Sequence, residues 1–136
     1  VDENGDVVPH VRRFPKLFDQ LMIILKIPHL LPRVLDRYLM ADFDYDKAAQ
    51  VDSVRGSFFL IRAGVLKTCR LDERFFVWFE EVDFCRQAIR QGWDVWYSPA
   101  ATVVDKVGQS FKQISKIRAQ RIFLQSMFGY FKKWGI

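Results

Sequence analysis

Apolar side chains recur at helical spacing in three parts of the chain. In the first, the pattern begins near Phe14, continues to Leu25 and ends before Pro28, which cannot continue a helix. In the second, from Glu80 to Gly92, acidic residues come first and arginines last, which suits the helix dipole. A glycine at the end of this pattern is typical of a helix C-terminus. The chain therefore contains at least two well-delimited helices.

The third and longest helical pattern covers 111–134. Its apolar stripe consists of Phe111, Ile114, Ile117, Leu124, Met127, Phe128, Phe131 and Trp134. Lysines and arginines lie beside this stripe, and Ser110 precedes it as a suitable N-cap. We expect a long amphipathic helix at this end of the chain.

Strand patterns lie between the helical ones. The segment 51–62 is rich in β-branched and aromatic residues and predicts a buried strand. Gly56 lies inside it and would permit close approach of another backbone or a ligand. Shorter strands are expected at 93–97 and 101–104, and the acidic segment 41–50 should be a surface loop. Helices and strands in 136 residues predict an α/β domain or part of one.

The charge of the chain is uneven. The net charge is +5, but the last acidic residue is Asp105, and seven basic residues follow it. Such a cationic, aromatic tail predicts contact with an anionic surface or ligand. The helix at 111–134 would either lie peripherally on a membrane or pack on the sheet through its stripe. No nucleic-acid-binding module is recognisable, so no nucleic acid partner is expected.

Other features exclude whole classes of protein. Two cysteines cannot form a disulfide framework, and two distant histidines give no zinc-site spacing. The chain has no secretory signal pattern, and its most apolar stretch is too short and broken to span a bilayer. These features favour a cytoplasmic location.

An unusual acidic cluster lies in the segment FFVWFEEVDFC, at 75–85. Glu80, Glu81 and Asp83 fall within one helical turn, directly after five large apolar side chains. Like charges this close repel one another, and apolar neighbours raise the pKa of a carboxyl group. The cluster therefore either stabilises a helix N-terminus or has a catalytic or metal-binding role.

Several motifs follow one another in a fixed order along the chain. They are VDSVRGSFFLIR, then LDERFFVWFEEVDFCRQAIRQGWDVWYSPAATVV, then VGQS, and finally SMFGYFKKWG. In this combination the chain resembles the C-terminal half of inverting GT-A glycosyltransferases of family 2. The resemblance is greatest with the rhamnosyltransferase-like branch, and it is densest from 51 to 110.

The resemblance implies a fold and a domain organisation. The expected fold is α/β: the C-terminal portion of a GT-A domain, a mixed sheet with flanking helices and a long C-terminal amphipathic helix. Residues 1–136 would form a single acceptor-side fragment. The nucleotide-binding half, with its D-x-D metal motif, would precede residue 1, so the fragment alone should lack activity.

The resemblance also implies a reaction. Such enzymes transfer a hexosyl or rhamnosyl group from a dTDP- or UDP-linked sugar to a growing cell-surface polysaccharide or a lipid-linked acceptor. A carboxylate is the general base, and Glu81 is the first candidate, Glu80 the second, while Asp83 would orient or cap. The enzyme would work in the cytoplasm or at the inner face of the plasma membrane. The alternatives are a non-catalytic accessory domain of the same ancestry and a membrane-surface module.

The remaining candidate positions follow from the same resemblance. Asp105 would bind a divalent metal, Mg²⁺ or Mn²⁺, or else form a salt bridge with a neighbouring base. The candidates for donor or acceptor binding are Gly56, Ser57, Arg62, Trp78, Phe79, Gln109, Ser110 and Lys112. Core packing is the alternative role for the two aromatic residues. A plain loop is the alternative for the last three residues, and an ordinary surface charge is that for Arg62.

Overall fold

The computed structural model of the protein describes residues 1–106 and 115–136. In chain order, the helices and strands are β1 (Val11–Arg12), α1 (Leu17–Ile24), α2 (Asp36–Leu39), β2 (Ala49–Gln50), β3 (Ser53–Val54), α3 (Glu80–Arg90), β4 (Trp96–Tyr97) and α4 (Lys116–Trp134). Short 3₁₀ turns occur at Ile27–His29, Pro32–Leu35 and Val65–Lys67. The α/β fold class is confirmed, and it is consistent with part of a GT-A fold that ends in a long helix.

The described strands pair in two small antiparallel ladders. Strand β1 pairs with β3, and β2 pairs with β4. An aromatic group supports the second ladder, because the hydroxyl of Tyr97 donates to the backbone oxygen of Tyr45 at 2.8 Å. The Tyr45 hydroxyl accepts in turn from the backbone N–H of His10 at 2.9 Å. These contacts join the N-terminal segment to the sheet.

The long strand expected at 51–62 is wrong beyond Val54. The chain turns at Gly56 and Ser57, and Leu60 is 94% exposed. A strand can extend only as far as its partner, and β1 is two residues long between two prolines, which lack the N–H that a ladder needs. The segment 101–104 is not a strand either. It is held to the N-terminus by a bond from the amino group of Val1 to the oxygen of Val103, at 2.9 Å.

Helix α1 begins at Leu17 and turns its apolar stripe outward. Its buried residues are Asp19 and Gln20. Asp19 accepts from the backbone N–H of Lys16 and from the guanidinium of Arg37, both at 2.8 Å. These bonds fix the helix with its polar side inward. The stripe is exposed at Leu17, Phe18, Leu21 and Leu25.

The main core lies where α3 and the segment before it meet α4. It consists of Phe75, Phe79, Met127, Tyr130 and Phe131. Gly129 allows this approach, since a Cβ there would lie 3.3 Å from Cε1 of Phe75. Helix α4 begins at Lys116, with Ser115 as its N-cap, rather than at Phe111. Residues 111–114 and the expected cap Ser110 lie outside the described part of the chain.

Candidate functional site

The acidic cluster begins helix α3, as predicted, and the helix ends before Gly92, whose φ of +83° is the expected left-handed conformation. The backbone just before the cluster is strained. Trp78 and Phe79 have φ values of +60° and +68°, in the left-handed region that large side chains rarely adopt. Phe79 is anchored in the core with its ring 5.3 Å from that of Tyr130. The packing of Phe79 in the core therefore fixes the orientation of the first turn of α3, which carries the acidic cluster.

Asp83 is separated from the other two acids by its contacts. It is fully buried and accepts from Lys133 Nζ at 2.7 Å, Trp134 Nε1 at 2.8 Å and Gln87 Nε2 at 2.7 Å. Three donated hydrogen bonds offset the free-energy cost of removing this carboxylate from water. Asp83 thus joins α3 to the end of α4.

Lys133 extends this network to a second acid. Its Nζ lies 2.8 Å from Asp72, which also accepts from Arg74 at 2.6 Å. The hydrogen bonds from Arg74, together with those from Lys133, hold the pKa of Asp72 well below its usual range. The sequence did not predict this network, because Lys133 lies 61 positions from Asp72 and 50 positions from Asp83. The only hint in the sequence is that charged residues occur both in the motif that contains Asp72 and Asp83 and in the motif that contains Lys133.

Glu80 and Glu81 have a different environment. In each, the Oε2 atom is buried and has no hydrogen-bond partner among the described residues. Burial, followed by the charge of Glu80, raises the pKa of Glu81 to about 7, and the two carboxyl groups lie close enough to share a hydrogen bond. A bond between two carboxyl groups needs one proton. Glu81 is therefore able to take up or release a proton near neutral pH.

The turn after β3 lies directly beside Glu81. A Cβ placed on Gly56 would be 3.7 Å from the Cβ of Glu81, an ordinary contact. Arg55, one residue earlier, has its guanidinium 4.0 Å from the carboxylate of Asp105, and its positive charge opposes part of the rise in the pKa of Glu81. The turn after β3 therefore lies against the start of α3, and Asp105 contacts the residue just before that turn.

The described residues do not form a divalent cation site. No three His, Cys, Asp or Glu side chains come together among them in a way that would hold a metal ion. Asp105 instead forms the salt bridge that was its alternative role. A hard cation such as Mg²⁺ needs several oxygen ligands. A single carboxylate beside an arginine does not fit it.

The other predicted site residues lie in several places. Ser57 and Arg62 are exposed, and Arg62 has no ion pair with the acidic cluster in the part of the chain that the structure describes. Trp78 packs at the edge of the core with its ring 5.6 Å from that of Phe123. Phe79 is buried inside that core, which is the packing role weighed against sugar binding. Gln109, Ser110 and Lys112 fall outside the described residues.

Helix α4 combines core packing with an exposed first half. Met127 and Tyr130 are buried, whereas Ile117 is 85% exposed and Phe128 is 62% exposed. Over residues 1–106 and 115–136, no helix is both long and apolar enough to cross a membrane.

Comparison with known proteins gives one match. A family model described as "Glycosyltransferase like family 2" matches residues 32–123, which is more than half of the chain. The matched range includes the turn at Gly56, the acidic cluster and Asp105. No curated protein and no solved structure matches.

Proposed function

This chain belongs to the glycosyltransferase-like family 2, and on that premise we propose that the protein transfers a sugar with Glu81 as its general base. The donor would be a dTDP- or UDP-linked sugar, with rhamnose or another hexose as the group transferred. The acceptor would be a growing cell-surface polysaccharide or a lipid-linked glycan. The resemblance to the rhamnosyltransferase-like branch supports these finer assignments.

The observation that carries the proposal is the buried carboxyl pair beside an exposed turn. Burial raises the pKa of Glu81 to about 7, and Gly56, which lies beside Glu81, is exposed. The acceptor would reach the carboxyl group over this turn. The ionised Glu81 accepts the proton of an acceptor hydroxyl while the oxygen attacks the anomeric carbon. The nucleoside diphosphate leaves from the opposite face, so the configuration inverts. General-base help of this kind contributes about 10²–10⁴-fold.

The domain assignment belongs to the same proposal. Residues 1–136 would be the acceptor-side portion of a GT-A domain, and nucleotide binding would depend on residues outside this range. A divalent cation, Mg²⁺ or Mn²⁺, stays an expectation of the resemblance. Its candidate ligand, Asp105, has Arg55 as its partner in the described structure. The reaction steps assigned to this chain do not depend on such an ion.

The decisive experiment measures sugar release or transfer by the full-length protein with a panel of nucleotide sugars. We expect Glu81→Gln to lower the rate by about 10²–10⁴-fold without weakening donor binding. Glu73→Gln is the matched control, because Glu73 is an exposed glutamate in a nearby loop. Turnover by Glu81→Gln at the wild-type rate would show that Glu81 is not the base, whereas no turnover of any donor by the wild type would favour the accessory-domain alternative.

The proposed location is peripheral, at the inner face of the plasma membrane. The first half of α4 exposes Ile117 among three cations, Lys116, Arg118 and Arg121. No acidic residue occurs after Asp105. Each cation near an anionic lipid surface contributes about 1 kcal/mol. This surface therefore suits an anionic bilayer.

Vesicle sedimentation tests the location. Wild-type protein should bind vesicles of phosphatidylcholine with 30% phosphatidylglycerol (a chosen composition, roughly that of an anionic leaflet) and release them in high salt. The double variant Arg118→Gln/Arg121→Gln should bind more weakly. The matched control, Arg33→Gln/Arg70→Gln, removes two exposed cations from other elements. Equal loss in both double variants would mean that net charge, and not α4, governs binding.

A further inference from the structure

Helix α1 and the 3₁₀ turns after it present large apolar side chains to the solvent. Six of them are between 43% and 79% exposed: Leu17, Phe18, Leu21, Leu25, Leu30 and Leu31. The first four fall within an arc of about 100° around the helix axis. The 3₁₀ turns that border the last two pack against α1. We call these six residues the α1 face. Neither the motifs nor the resemblance gave this face a role.

Contacts on the inner side of α1 hold this face outward. Asp19, on the opposite side of the helix, is buried and accepts from the backbone N–H of Lys16 and from the guanidinium of Arg37, both at 2.8 Å. Ile24, at the edge of the α1 face, packs against the main core around α4. The helix cannot turn its leucines inward without breaking these contacts. A group of large exposed apolar side chains is a common mark of an interaction surface.

The charges around the α1 face indicate which partner it fits. From Lys16 to Arg33 the one acidic residue is Asp19, which is buried, whereas Lys16, Lys26 and Arg33 are exposed. Among the described residues, none of these three cations forms an ion pair. Leucines bordered by cations suit an anionic bilayer, because apolar side chains enter the acyl boundary while the cations stay at the headgroups. A second copy of the chain would instead bring like charges together.

We propose that the α1 face is a second membrane-binding surface, which inserts its leucines into the interface of an anionic bilayer. The inference rests on the proposed peripheral location and extends it, since the first half of α4 supplies cations and α1 supplies apolar side chains. A weak apolar anchor and a cationic surface bind membranes stably when they act together. High salt removes the electrostatic part, so release of the wild-type protein in high salt is still expected.

The first test measures insertion directly in the full-length protein. Cys69 and Cys85 are buried, so a thiol-reactive fluorophore sensitive to polarity should label Leu25→Cys well above the wild-type background. On adding the phosphatidylcholine–phosphatidylglycerol vesicles, we expect its emission to shift to the blue and to be quenched by lipids with a nitroxide on the acyl chain. Leu71→Cys is the matched control, because Leu71 is 58% exposed and Leu25 is 62% exposed. A label at Leu71 should show neither change.

The second test measures what the leucines contribute to binding. The double variant Leu21→Gln/Leu25→Gln keeps the charge of the protein, so its attraction to the headgroups is unchanged. We expect its affinity for the vesicles to fall by at least about tenfold, because two apolar side chains no longer leave water. Leu60→Gln/Leu71→Gln alters two exposed leucines elsewhere and should bind like the wild type. Circular dichroism checks that both variants are folded.

The outcomes separate this inference from the proposed function. A blue shift at Leu25→Cys alone, with a loss of affinity in Leu21→Gln/Leu25→Gln alone, supports the inference even if no donor is turned over. Loss of affinity only in Arg118→Gln/Arg121→Gln leaves the peripheral location in place and overturns the role of α1.

Two further results overturn the inference by naming another occupant. A cysteine at Leu25→Cys that cannot be labelled means that another part of the full-length protein covers α1. A dimer that Leu21→Gln/Leu25→Gln converts to a monomer, with vesicle binding unchanged, means that a second copy covers it.

Discussion

Glu81 and Asp83 lie two positions apart on one helix and meet opposite electrostatic conditions. Asp83 has lost its water but gained Lys133 and Trp134 as donors. Glu81 has also lost water, and its closest charged neighbour on the helix is another glutamate. Burial of a paired carboxylate is tolerated, whereas burial of one without a close cation costs stability. Functional side chains often carry such a cost, because the environment that their chemistry needs is unfavourable for folding.

This difference predicts how stability depends on pH. The pKa of Glu81 is raised from 4.5 to about 7, so the folded state binds more protons than the unfolded state between these values. Stability therefore falls as the pH rises through this window. Glutamine does not titrate, so this loss is absent in Glu81→Gln. We expect the free energy of unfolding of the variant to exceed that of the wild type by on the order of 2 kcal/mol at pH 8, and this difference should shrink toward pH 4.5.

Urea unfolding at the two pH values measures this gain. Glu73→Gln, which alters an exposed glutamate, should show little difference between them. A gain for Glu81→Gln that is the same at both pH values would contradict the raised pKa, because a packing effect does not titrate.

At the scale of elements, α3 and α4 are joined by polar contacts as well as by their apolar faces. Besides the network of Asp83, the guanidinium of Arg86 donates to the hydroxyl of Tyr130 at 2.9 Å and lies 5.0 Å from the ring of Trp134. Arg90 lies 5.4 Å from the same ring. The motif at the start of α3 and the motif at the end of α4 are therefore two halves of one contact. This contact sets the orientation of the helix that carries Glu81.

Asp83→Asn tests this joint between helices. The substitution leaves Lys133 with a weaker partner in a buried position, so we expect the free energy of unfolding to fall by about 3 kcal/mol. Asp44→Asn is the control, since Asp44 forms an exposed ion pair with Lys47 and its loss should cost less than about 1 kcal/mol. Chemical denaturation measures both. Equal effects would show that the buried network adds nothing beyond a surface ion pair.

At the scale of the whole molecule, apolar residues are divided between a buried core and an exposed face. The core gathers around α4, where Met127 is 1% exposed. The stripe of α1 faces outward, with Leu21 at 43% and Leu25 at 62%. Residues with the same hydropathy therefore contribute very differently to stability.

Two alanine substitutions measure this division. Met127→Ala should lower the free energy of unfolding by about 2–5 kcal/mol, because it leaves a cavity in the core. Leu21→Ala, at an exposed position, should cost less than about 1 kcal/mol. Urea unfolding of both variants gives the comparison. A large loss in Leu21→Ala would mean that the stripe of α1 is buried in solution.

Much of this protein follows from its sequence alone. The helix at Glu80–Arg90 and its glycine end are predicted correctly, because periodicity and capping are properties of neighbouring residues. The order of motifs indicates the family, and the charge pattern identifies the cationic end. The length of the strand at 51–62 is predicted wrongly. A strand needs a partner of equal length, and that partner lies 41 to 43 positions away in β1, where Arg12 pairs with Ser53 and Val11 with Val54.

The tertiary structure alone decided the electrostatic environment of each acid. Local spacing places Glu80, Glu81 and Asp83 within one helical turn, but it does not show which of them meets a cation. Lys133 is 50 positions from Asp83, and Arg55 and Asp105 come from separate segments. Desolvation and pairing depend on these distant contacts, since the electrostatic free energy of a carboxylate is set by what surrounds it in space. The sequence therefore determined where the acids lie, and folding determined which of them has hydrogen-bonded partners.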